Sequence, residues 1–242
     1  LSNKRMKIAI LGYGKMGKVI EKIALKRGHS ILLKVNRENL DFDLKLLKDC
    51  DVAIEFSSPE SAVNNINKCF DANVPVVVGT TGWYTEFISV QERCISENKG
   101  LLHATNFSVG VNIFYEINKK LAALMDASNQ YDVEIEELHH TQKLDAPSGT
   151  AITIAEGIIA NLDRKVAWKN EVNVSENELA IESIRTKDVP GTHIVKYESD
   201  IDVIEIKHEA KNRNGFAFGA IIAAEYMNNK NGVFTMKDVL SL

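Results

Sequence analysis

A strand, a glycine turn and a helix follow one another near the beginning of this chain. The apolar segment Lys7–Leu11 leads directly into Gly12, Tyr13, Gly14, Lys15, Met16 and Gly17, and apolar residues then recur at helical spacing from Val19 to Ala24. Gly-x-Gly-x-x-Gly alone could be a chance match in any loop, but between a strand and a helix it is the fingerprint of a dinucleotide-binding βαβ unit. We therefore predict that these six residues contact a dinucleotide.

The same alternation of strand and helix continues to about residue 107. Further strand-like segments are Ile31–Val35, Asp51–Phe56, Pro75–Val78 and Leu101–Ala104, with helical patterns between them. This order predicts a Rossmann-type, doubly wound parallel sheet of the α/β class. The string Ser57-Ser58-Pro59-Glu60 predicts a capping box at the start of one of the helices.

Two turns follow predicted strands at the edge where such sheets bind ligands. They contain Gly79, Thr80 and Thr81 after one strand, and Thr105, Asn106 and Phe107 after Ala104 at the end of the next. Ligands of open α/β sheets lie beyond the carboxyl ends of the strands. Contact with the cofactor is therefore one interpretation of these residues, and an ordinary turn is the other.

The end of the second strand bears on which cofactor is preferred. An acidic residue there would bind the ribose hydroxyls of NAD, whereas an arginine accommodates the additional phosphate of NADP. The chain has Asn36, Arg37 and Glu38 at this position. Arg37 favours NADPH mildly and Glu38 keeps NADH possible, while Arg37 as a solvated loop charge is the alternative.

The alternating pattern stops after a helical segment at Gly110–Met125. Strand-like runs at residues 131–136, 179–185, 192–198 and 201–209 have only one helical pattern among them, and a polar interval spans residues 161–177. This predicts an α+β domain with a mixed or antiparallel sheet. We assign residues 1–107 to a dinucleotide-binding domain and 108–215 to a substrate-binding and oligomerisation domain, with a tail at 216–242 that returns to the first.

Residues 137–151 combine titratable side chains with a helix start. The strand pattern leads into a predicted loop with His139, His140 and Lys143, and Pro147-Ser148 marks the start of a helix whose first amides belong to Gly149 and Thr150. The first N–H groups of a helix lack internal partners and bind anions. We interpret the stretch as a pocket for a carboxylate or phosphate that contains a proton source.

Other interpretations of these residues remain open. The two histidines could be a solvated strand end, Lys143 a surface charge, and Pro147-Ser148-Gly149 an ordinary helix start. A metal site is the further rival. Adjacent residues of an extended chain point to opposite sides, so His139 and His140 would chelate one ion poorly. We expect no metal.

Composition excludes several classes of protein. The net charge of −4 gives no basic stripe for nucleic acid, and the apolar runs are too short to span a membrane. No secretory pattern precedes Met6. The cysteines are Cys50, Cys69 and Cys94, odd in number and without metal-ligand spacing, which indicates reduced thiols and a cytoplasmic protein.

Five strings in this chain resemble those of the dihydrodipicolinate reductase family. They are Gly12–Gly17, Gly79–Gly82, Asn106–Asn112, Glu137–Ala151 and Val189–Thr192. The most specific is His-His-x-x-Lys-x-Asp-Ala-Pro-Ser-Gly-Thr-Ala. The resemblance extends from Met6 to Leu242 and implies the reduction of a cyclic imine dicarboxylate by NADPH or NADH, in lysine and diaminopimelate synthesis.

The resemblance also implies roles for individual residues. His139 matches a proton donor or acceptor and Lys143 a proton donor, while His140, Gly149 and Thr150 match residues that hold a substrate carboxylate. Residues 79–81 and 104–107 match segments around the nicotinamide, and Asn36 and Arg37 match the adenosine end of the cofactor. The family members are usually homotetramers. The rival functions are another nicotinamide dehydrogenase, or a cofactor-sensing regulator without turnover.

Overall fold

The computed structural model describes residues 5–39, 42, 44–212 and 214–242 of the chain. It divides into two compact units. Unit 1 comprises residues 1–109 and 214–242, and unit 2 comprises residues 110–213.

Unit 1 contains a six-stranded parallel sheet with helices. Its strands are β1 (Lys7–Leu11), β2 (Ser30–Val35), β3 (Val52–Glu55), β4 (Val76–Val78), β5 (Gly100–His103) and β11 (Gly232–Phe234), in the spatial order β11-β5-β4-β3-β1-β2. Its helices are α1 (Lys15–Lys26), α2 (Leu44–Lys48), α3 (Pro59–Asp71), α4 (Phe87–Ser96), α7 (Asn214–Met227) and α8 (Met236–Leu240), with a 3₁₀ turn at Tyr84–Glu86. The predicted Rossmann-type sheet is confirmed.

The central strands of this sheet are buried on both faces. In β1, Ile8 and Ile10 belong to one apolar cluster, whereas Ala9 and Leu11 belong to the other. Successive strand residues point to opposite faces, so each strand supplies both cores. This arrangement fixes the carboxyl ends of the strands, where the glycine turn emerges.

The C-terminal segment is part of unit 1. Strand β11 pairs with β5, and Glu225 of α7 contacts both Arg27 and the buried His29, at 2.8 Å in each case. Strand β11 was not predicted from the sequence, because three half-buried residues carry no clear periodicity.

Unit 2 contains a five-stranded mixed sheet, as predicted. Its strands are β6 (Asp132–His140), β7 (Ala167–Lys169), β8 (Glu178–Thr186), β9 (Thr192–Glu198) and β10 (Val203–Glu209), in the order β10-β9-β6-β8-β7. Strands β6, β7 and β8 are parallel to one another, and β9 is antiparallel to both β6 and β10. Its helices are α5 (Val109–Met125), which begins one residue before the unit boundary, and α6 (Gly149–Ile159).

One strand was not predicted, and one prediction about local structure was wrong. Strand β7 lies inside the polar interval 161–177 and is mostly exposed. Helix α3 has Ser58 as its N-cap with no side-chain cap hydrogen bond, so the predicted capping box between Ser57 and Glu60 does not form. Ser57 instead donates to the buried carboxylate of Glu55, which withdraws its hydroxyl from the helix.

Candidate active site

His139 and His140 are the last two residues of β6, so they lie on the strand and not in the loop predicted for them. Both pair with β8, His139 with Arg185 and His140 with Thr186. His139 is buried on the same side of the strand as Glu137, whereas His140 points to the other side and is half-buried. The two imidazoles therefore face opposite ways, as the sequence predicts for neighbours in an extended chain.

Helix α6 begins as predicted. Ser148 is its N-cap, and its hydroxyl accepts a hydrogen bond of 3.1 Å from the amide of Ala151. A side chain built at Gly149 would meet no atom within 4 Å, so the backbone of the first turn can be approached closely. With the positive end of the helix dipole, this is a suitable place for an anion.

The short connection between β6 and α6 positions Lys143. Its amide donates to the carbonyl of His140 at 3.0 Å, which closes a tight turn. Its ammonium lies 2.8 Å from both carboxylate oxygens of Asp145, and this contact lowers the pKa of Asp145. The lysine is thus held on the same loop as the helix start.

The carboxylate of Glu137 is completely buried at the centre of this site. The amide of Ser148 donates to both of its oxygens, and the Ser183 hydroxyl and the Arg185 guanidinium donate to one of them at 2.9 and 3.2 Å. Burial would raise its pKa, but the polar contacts with His193, Ser148 and Ser183 outweigh burial and hold the pKa well below the ordinary value. Glu137 is therefore a charged group inside the protein.

His139 is held in neutral form by its surroundings. Burial lowers its pKa to about 4; the Glu137 carboxylate opposes this, and the charges of His193, Lys143 and Arg185 reinforce it. A side chain at Gly191 would come within 3.0 Å of the His139 Nε2 atom, so glycine at that position leaves room for the ring. At neutral pH this imidazole has one N–H donor and one acceptor nitrogen.

The contacts among Glu137, Ser183, Arg185 and His193 were not predicted from the sequence. The last two come from β8 and β9, which flank β6 in the sheet. His193 directly follows the string Val189-Pro190-Gly191-Thr192, which sequence analysis used only for the family resemblance. That string was the one available signal for His193.

Glu137, His139 and His193 also form the group best placed to hold a metal ion among the described residues. Their potential ligand atoms all lie within 4.8 Å of one another. However, the carboxylate already accepts several protein hydrogen bonds, and the Arg185 guanidinium lies beside it. These contacts compete with a cation, so the expectation of no metal stays a prediction.

The glycine turn of unit 1 has the clearances that its pattern predicts. Gly12 has φ = +104°, and a side chain there would lie 2.1 Å from the carbonyl oxygen of Phe56. A side chain on Gly17 would lie 2.5 Å from the Gly12 carbonyl oxygen, so the turn and helix α1 pack closely. At Gly14 nothing lies within 4 Å. Lys15 and Met16 form the first turn of α1.

A cavity of about 740 Å³ lies beside this turn. Residues at the ends of strands β1, β2 and β3 and residues of helix α3 line it: Gly12, Tyr13, Gly14, Val35, Asn36, Arg37, Glu38, Phe56, Ser57, Ser58, Glu60, Ser61 and Asn65. The Asn36 side chain accepts from the amide of Glu38 at 2.8 Å and so shapes the loop after β2. The cavity therefore joins the glycine turn to the predicted adenosine residues.

The two other predicted cofactor segments follow neighbouring strands. Residues 79–81 come after β4 and residues 104–107 after β5, and Val78 pairs with His103 where these strands end. A side chain at Gly79 would lie 2.1 Å from the ring of Phe56, which in turn contacts Phe107 with 5.6 Å between ring centroids. Thr80 accepts from the amide of Ser57 at 2.8 Å, and Asn106 from that of Ser108 at 2.9 Å.

Two family models match consecutive parts of the chain. Residues 6–107 match "Dihydrodipicolinate reductase, N-terminus", and residues 110–240 match "Dihydrodipicolinate reductase, C-terminus". Together they cover most of the sequence, including every residue assigned above to the two candidate sites.

Curated relatives agree with these matches. The chain is 50% identical to the 4-hydroxy-tetrahydrodipicolinate reductase of Christiangramia forsetii, over 98% of each chain. It is 34% identical to that of Rickettsia rickettsii, over 95% of this chain and 96% of the relative. Among solved structures, dipicolinate-bound dihydrodipicolinate reductase from Paenisporosarcina sp. TG-14 has the same fold, with a TM-score of 0.74, 23% identity and coverage of 96% and 97%. This chain therefore belongs to the dihydrodipicolinate reductase family.

Proposed function

We propose that this protein reduces 4-hydroxy-tetrahydrodipicolinate to tetrahydrodipicolinate with a reduced nicotinamide cofactor, in lysine and diaminopimelate synthesis. One observation carries the proposal. In a chain 50% identical to a curated reductase of this name, His139 and the start of helix α6 contact one buried carboxylate, and the charge of Lys143 acts on His139. A cyclic dicarboxylate needs both an anion site and a proton source, and this arrangement supplies both.

The substrate carboxylate would bind at the start of α6. Gly149 and Thr150 present backbone N–H groups at the positive end of the helix dipole, and His140 adds a side-chain donor. Donors fixed before the reaction stabilise negative charge that develops on the substrate more effectively than mobile water does. This assigns substrate binding to unit 2.

Proton transfer would involve Lys143 and His139. His139 has a pKa of about 4 and is neutral at neutral pH, so the cationic donor near the substrate carboxylates would be the Lys143 ammonium. The neutral imidazole would donate or accept a hydrogen bond at the reacting ring. A bound dicarboxylate would raise the pKa of His139 by adding negative charge, which lets it share in the proton transfer.

The dinucleotide would bind to unit 1. The open face of Gly14 and the cavity that ends at Asn36 and Arg37 fit a pyrophosphate and an adenosine, respectively. When bound, the cofactor supplies the hydride. Arg37 can pair with a ribose phosphate through its planar guanidinium, which supports a mild preference for NADPH. Residues 79–81 and 104–107 would surround the nicotinamide.

Three further features complete the proposal. The protein would act as a homotetramer, as its family resemblance implies. It would act in the cytoplasm, as its cysteine pattern predicts. Among the described residues, no helix combines the length and hydropathy that crossing a bilayer requires.

A coupled assay tests the function directly. The product of the preceding synthase would be supplied together with NADPH or NADH, and loss of nicotinamide absorbance followed. We expect turnover with both cofactors and a lower Michaelis constant for NADPH. Oxidation with oxo or amino acids but not with this substrate would indicate another dehydrogenase. Cofactor binding without oxidation would indicate a sensor and overturn the proposal.

A further inference from the structure

The Glu137 carboxylate is held firmly by hydrogen bonds, although Glu137 was not predicted from the sequence as a site residue. Two elements contact it: the start of α6 through the Ser148 amide, and β8 through Ser183 and Arg185. A buried charge is costly unless it is paired and hydrogen-bonded, and here it is both. Ser183 and Arg185 contact one oxygen and the Ser148 amide contacts both, so the carboxylate is fixed while its second oxygen can still accept a further hydrogen bond.

The second oxygen of Glu137 faces two imidazoles. It lies 3.4 Å from Nδ1 of His139 and 3.6 Å from Nε2 of His193. The Nδ1 atom of His139 is buried and makes no hydrogen bond of ordinary geometry with the described residues. The Glu137 carboxylate, 3.4 Å away, is an acceptor beside it. His193 has a partner of its own, because its Nε2 lies 3.1 Å from the Ser148 hydroxyl.

The opposite edge of the His139 ring faces Gly191. A Cβ atom at position 191 would lie 3.0 Å from Nε2 of His139, so the absence of a side chain there leaves room for this edge of the ring. In a neutral imidazole, the partner of one nitrogen decides which nitrogen carries the proton. A carboxylate can only accept a hydrogen bond, so a carboxylate at Nδ1 favours the tautomer with hydrogen on Nδ1 and a lone pair on Nε2.

We propose that Glu137 is a positioning residue that fixes the tautomer and orientation of His139, so that Nε2 is the nitrogen that takes up a proton from solvent when the dicarboxylate binds and then passes it to the substrate. The inference builds on the proposed function, but it concerns a residue to which neither the family resemblance nor the sequence pattern gave a role. Ser148, Ser183 and Arg185 act in it as the anchors of the carboxylate.

The main test is Glu137→Gln, which keeps size and shape but removes the charge. We expect kcat to fall at least about tenfold, since proton-transfer groups contribute roughly 10²–10⁴-fold when correctly placed. Binding of NADPH should be unchanged. Glu136→Gln is the matched control, because Glu136 is the neighbouring strand residue on the other side of the sheet, and its kcat should equal that of the wild type.

A double-mutant cycle separates positioning from general structural damage. If Glu137 acts through His139, Glu137→Gln should cause little further loss of kcat in a His139→Gln background. If the kcat losses of the two single variants multiply in the double variant, Glu137 acts independently of His139, and this result would overturn the inference. If the glutamine variant does not fold, Glu137→Asp replaces it in the test, because aspartate retracts the carboxylate but keeps its charge. An unchanged kcat in Glu137→Asp would also overturn the inference.

Nitrogen-15 NMR tests the tautomer without any need for turnover. In ¹⁵N-histidine-labelled protein near pH 7.5, the His139 signals are identified by their loss in His139→Gln. We expect a proton on Nδ1 in the wild type and a shift toward the Nε2-protonated form in Glu137→Gln. The other titratable groups that face the ring are His193 on β9, Arg185 on β8 and Lys143 after β6, and all are retained.

The two proposals fail in different ways. A wild-type protein with no activity on 4-hydroxy-tetrahydrodipicolinate would refute the proposed function, while the NMR result would still decide the role of Glu137. A wild-type protein that is active, with the same tautomer and the same kcat in Glu137→Gln, would refute the positioning role and leave the function intact.

Discussion

Both carboxylate oxygens of Glu137 lie 3.1 Å from the amide nitrogen of Ser148. This contact joins the buried face of strand β6 to the N-cap of helix α6, eleven residues later. The strand supplies the histidines and the helix start supplies amide donors, so one carboxylate ties the candidate proton-transfer group to the candidate anion site. Mutations at either end can therefore be expected to affect catalysis and substrate binding differently.

Loss of the Lys143 ammonium should slow proton donation to the substrate. We expect Lys143→Ala to lower kcat by about a hundredfold or more, as is typical for a general acid, with NADPH binding retained because that site belongs to unit 1. Steady-state kinetics and a fluorescence titration of NADPH would measure the two effects. Lys169→Ala, at an exposed lysine paired with Glu178, is the control and should behave as wild type. Equal kcat for Lys143→Ala and wild type would remove Lys143 from the mechanism.

Removal of the Thr150 hydroxyl should affect substrate binding more than turnover. Thr150 lies in the first turn of α6, beside the open position of Gly149. If it binds the carboxylate equally in ground and transition states, Thr150→Val should raise the Michaelis constant of the substrate about tenfold and leave kcat nearly unchanged. Thr153→Val, one turn later at a half-buried position, is the matched control. A selective fall in kcat would show that Thr150 acts in the transition state instead.

Burial of His139 should make stability depend on pH in a defined window. The unfolded chain protonates this histidine near its ordinary pKa of 6.5, whereas the folded protein keeps it neutral down to about 4. Between these values the unfolded state binds more protons, so stability is lost as pH falls from 6.5 toward 4. At 1.36 kcal/mol per pKa unit, the loss would be about 3 kcal/mol at most.

His139→Gln tests this dependence. Because glutamine does not titrate, the variant should lose less stability than the wild type between pH 7 and pH 4.5. Urea unfolding at several pH values would measure the free energy of unfolding of both proteins. Parallel curves for the two proteins would contradict the explanation by burial.

The sequence predicted the local elements of the site well, because their signals are local. The two-residue alternation of β6, the N-cap at Ser148 and the clearance of the glycine turn each depend on a few neighbouring residues. The position of His139 on the strand was missed because polar residues occupy a buried face there. Alternation of hydrophobicity ends at Ile135, although the strand and its buried face continue to His139.

The environment of Glu137 could not be predicted, because it depends on pairing between distant strands. Ser183 and Arg185 reach the carboxylate only because β8 lies parallel to β6, and His193 only because β9 lies on the other side. These residues are separated from Glu137 by 46 to 56 positions, and no local pattern specifies that register. Short elements such as β7 and β11 were missed for the simpler reason that three residues give no usable periodicity.

Arg37 should determine the preference for NADPH. Arg37 lines the cavity beside Gly14, and the residue before it is Asn36, which is not acidic. A charged hydrogen bond to a phosphate contributes about 1.5–3 kcal/mol. We expect Arg37→Ala to raise the Michaelis constant for NADPH by roughly ten- to a hundredfold and that for NADH by much less. Equal losses for the two cofactors would indicate that Arg37 does not contact the phosphate.

Substitutions at Gly79 and Gly14 should affect stability and cofactor binding separately, because the space around the two glycines differs. A side chain at Gly79 would lie 2.1 Å from the ring of Phe56, so Gly79→Ala should lower the free energy of unfolding by about 1–3 kcal/mol, as overpacking does. Nothing lies within 4 Å of the corresponding position at Gly14, and its φ of −90° suits any residue. Gly14→Ala should therefore leave stability within about 0.5 kcal/mol but weaken NADPH binding, because the methyl group occupies the space through which the pyrophosphate would approach. Thermal unfolding with and without NADPH would measure both effects, and a Gly14→Ala protein with normal cofactor affinity would place the pyrophosphate elsewhere.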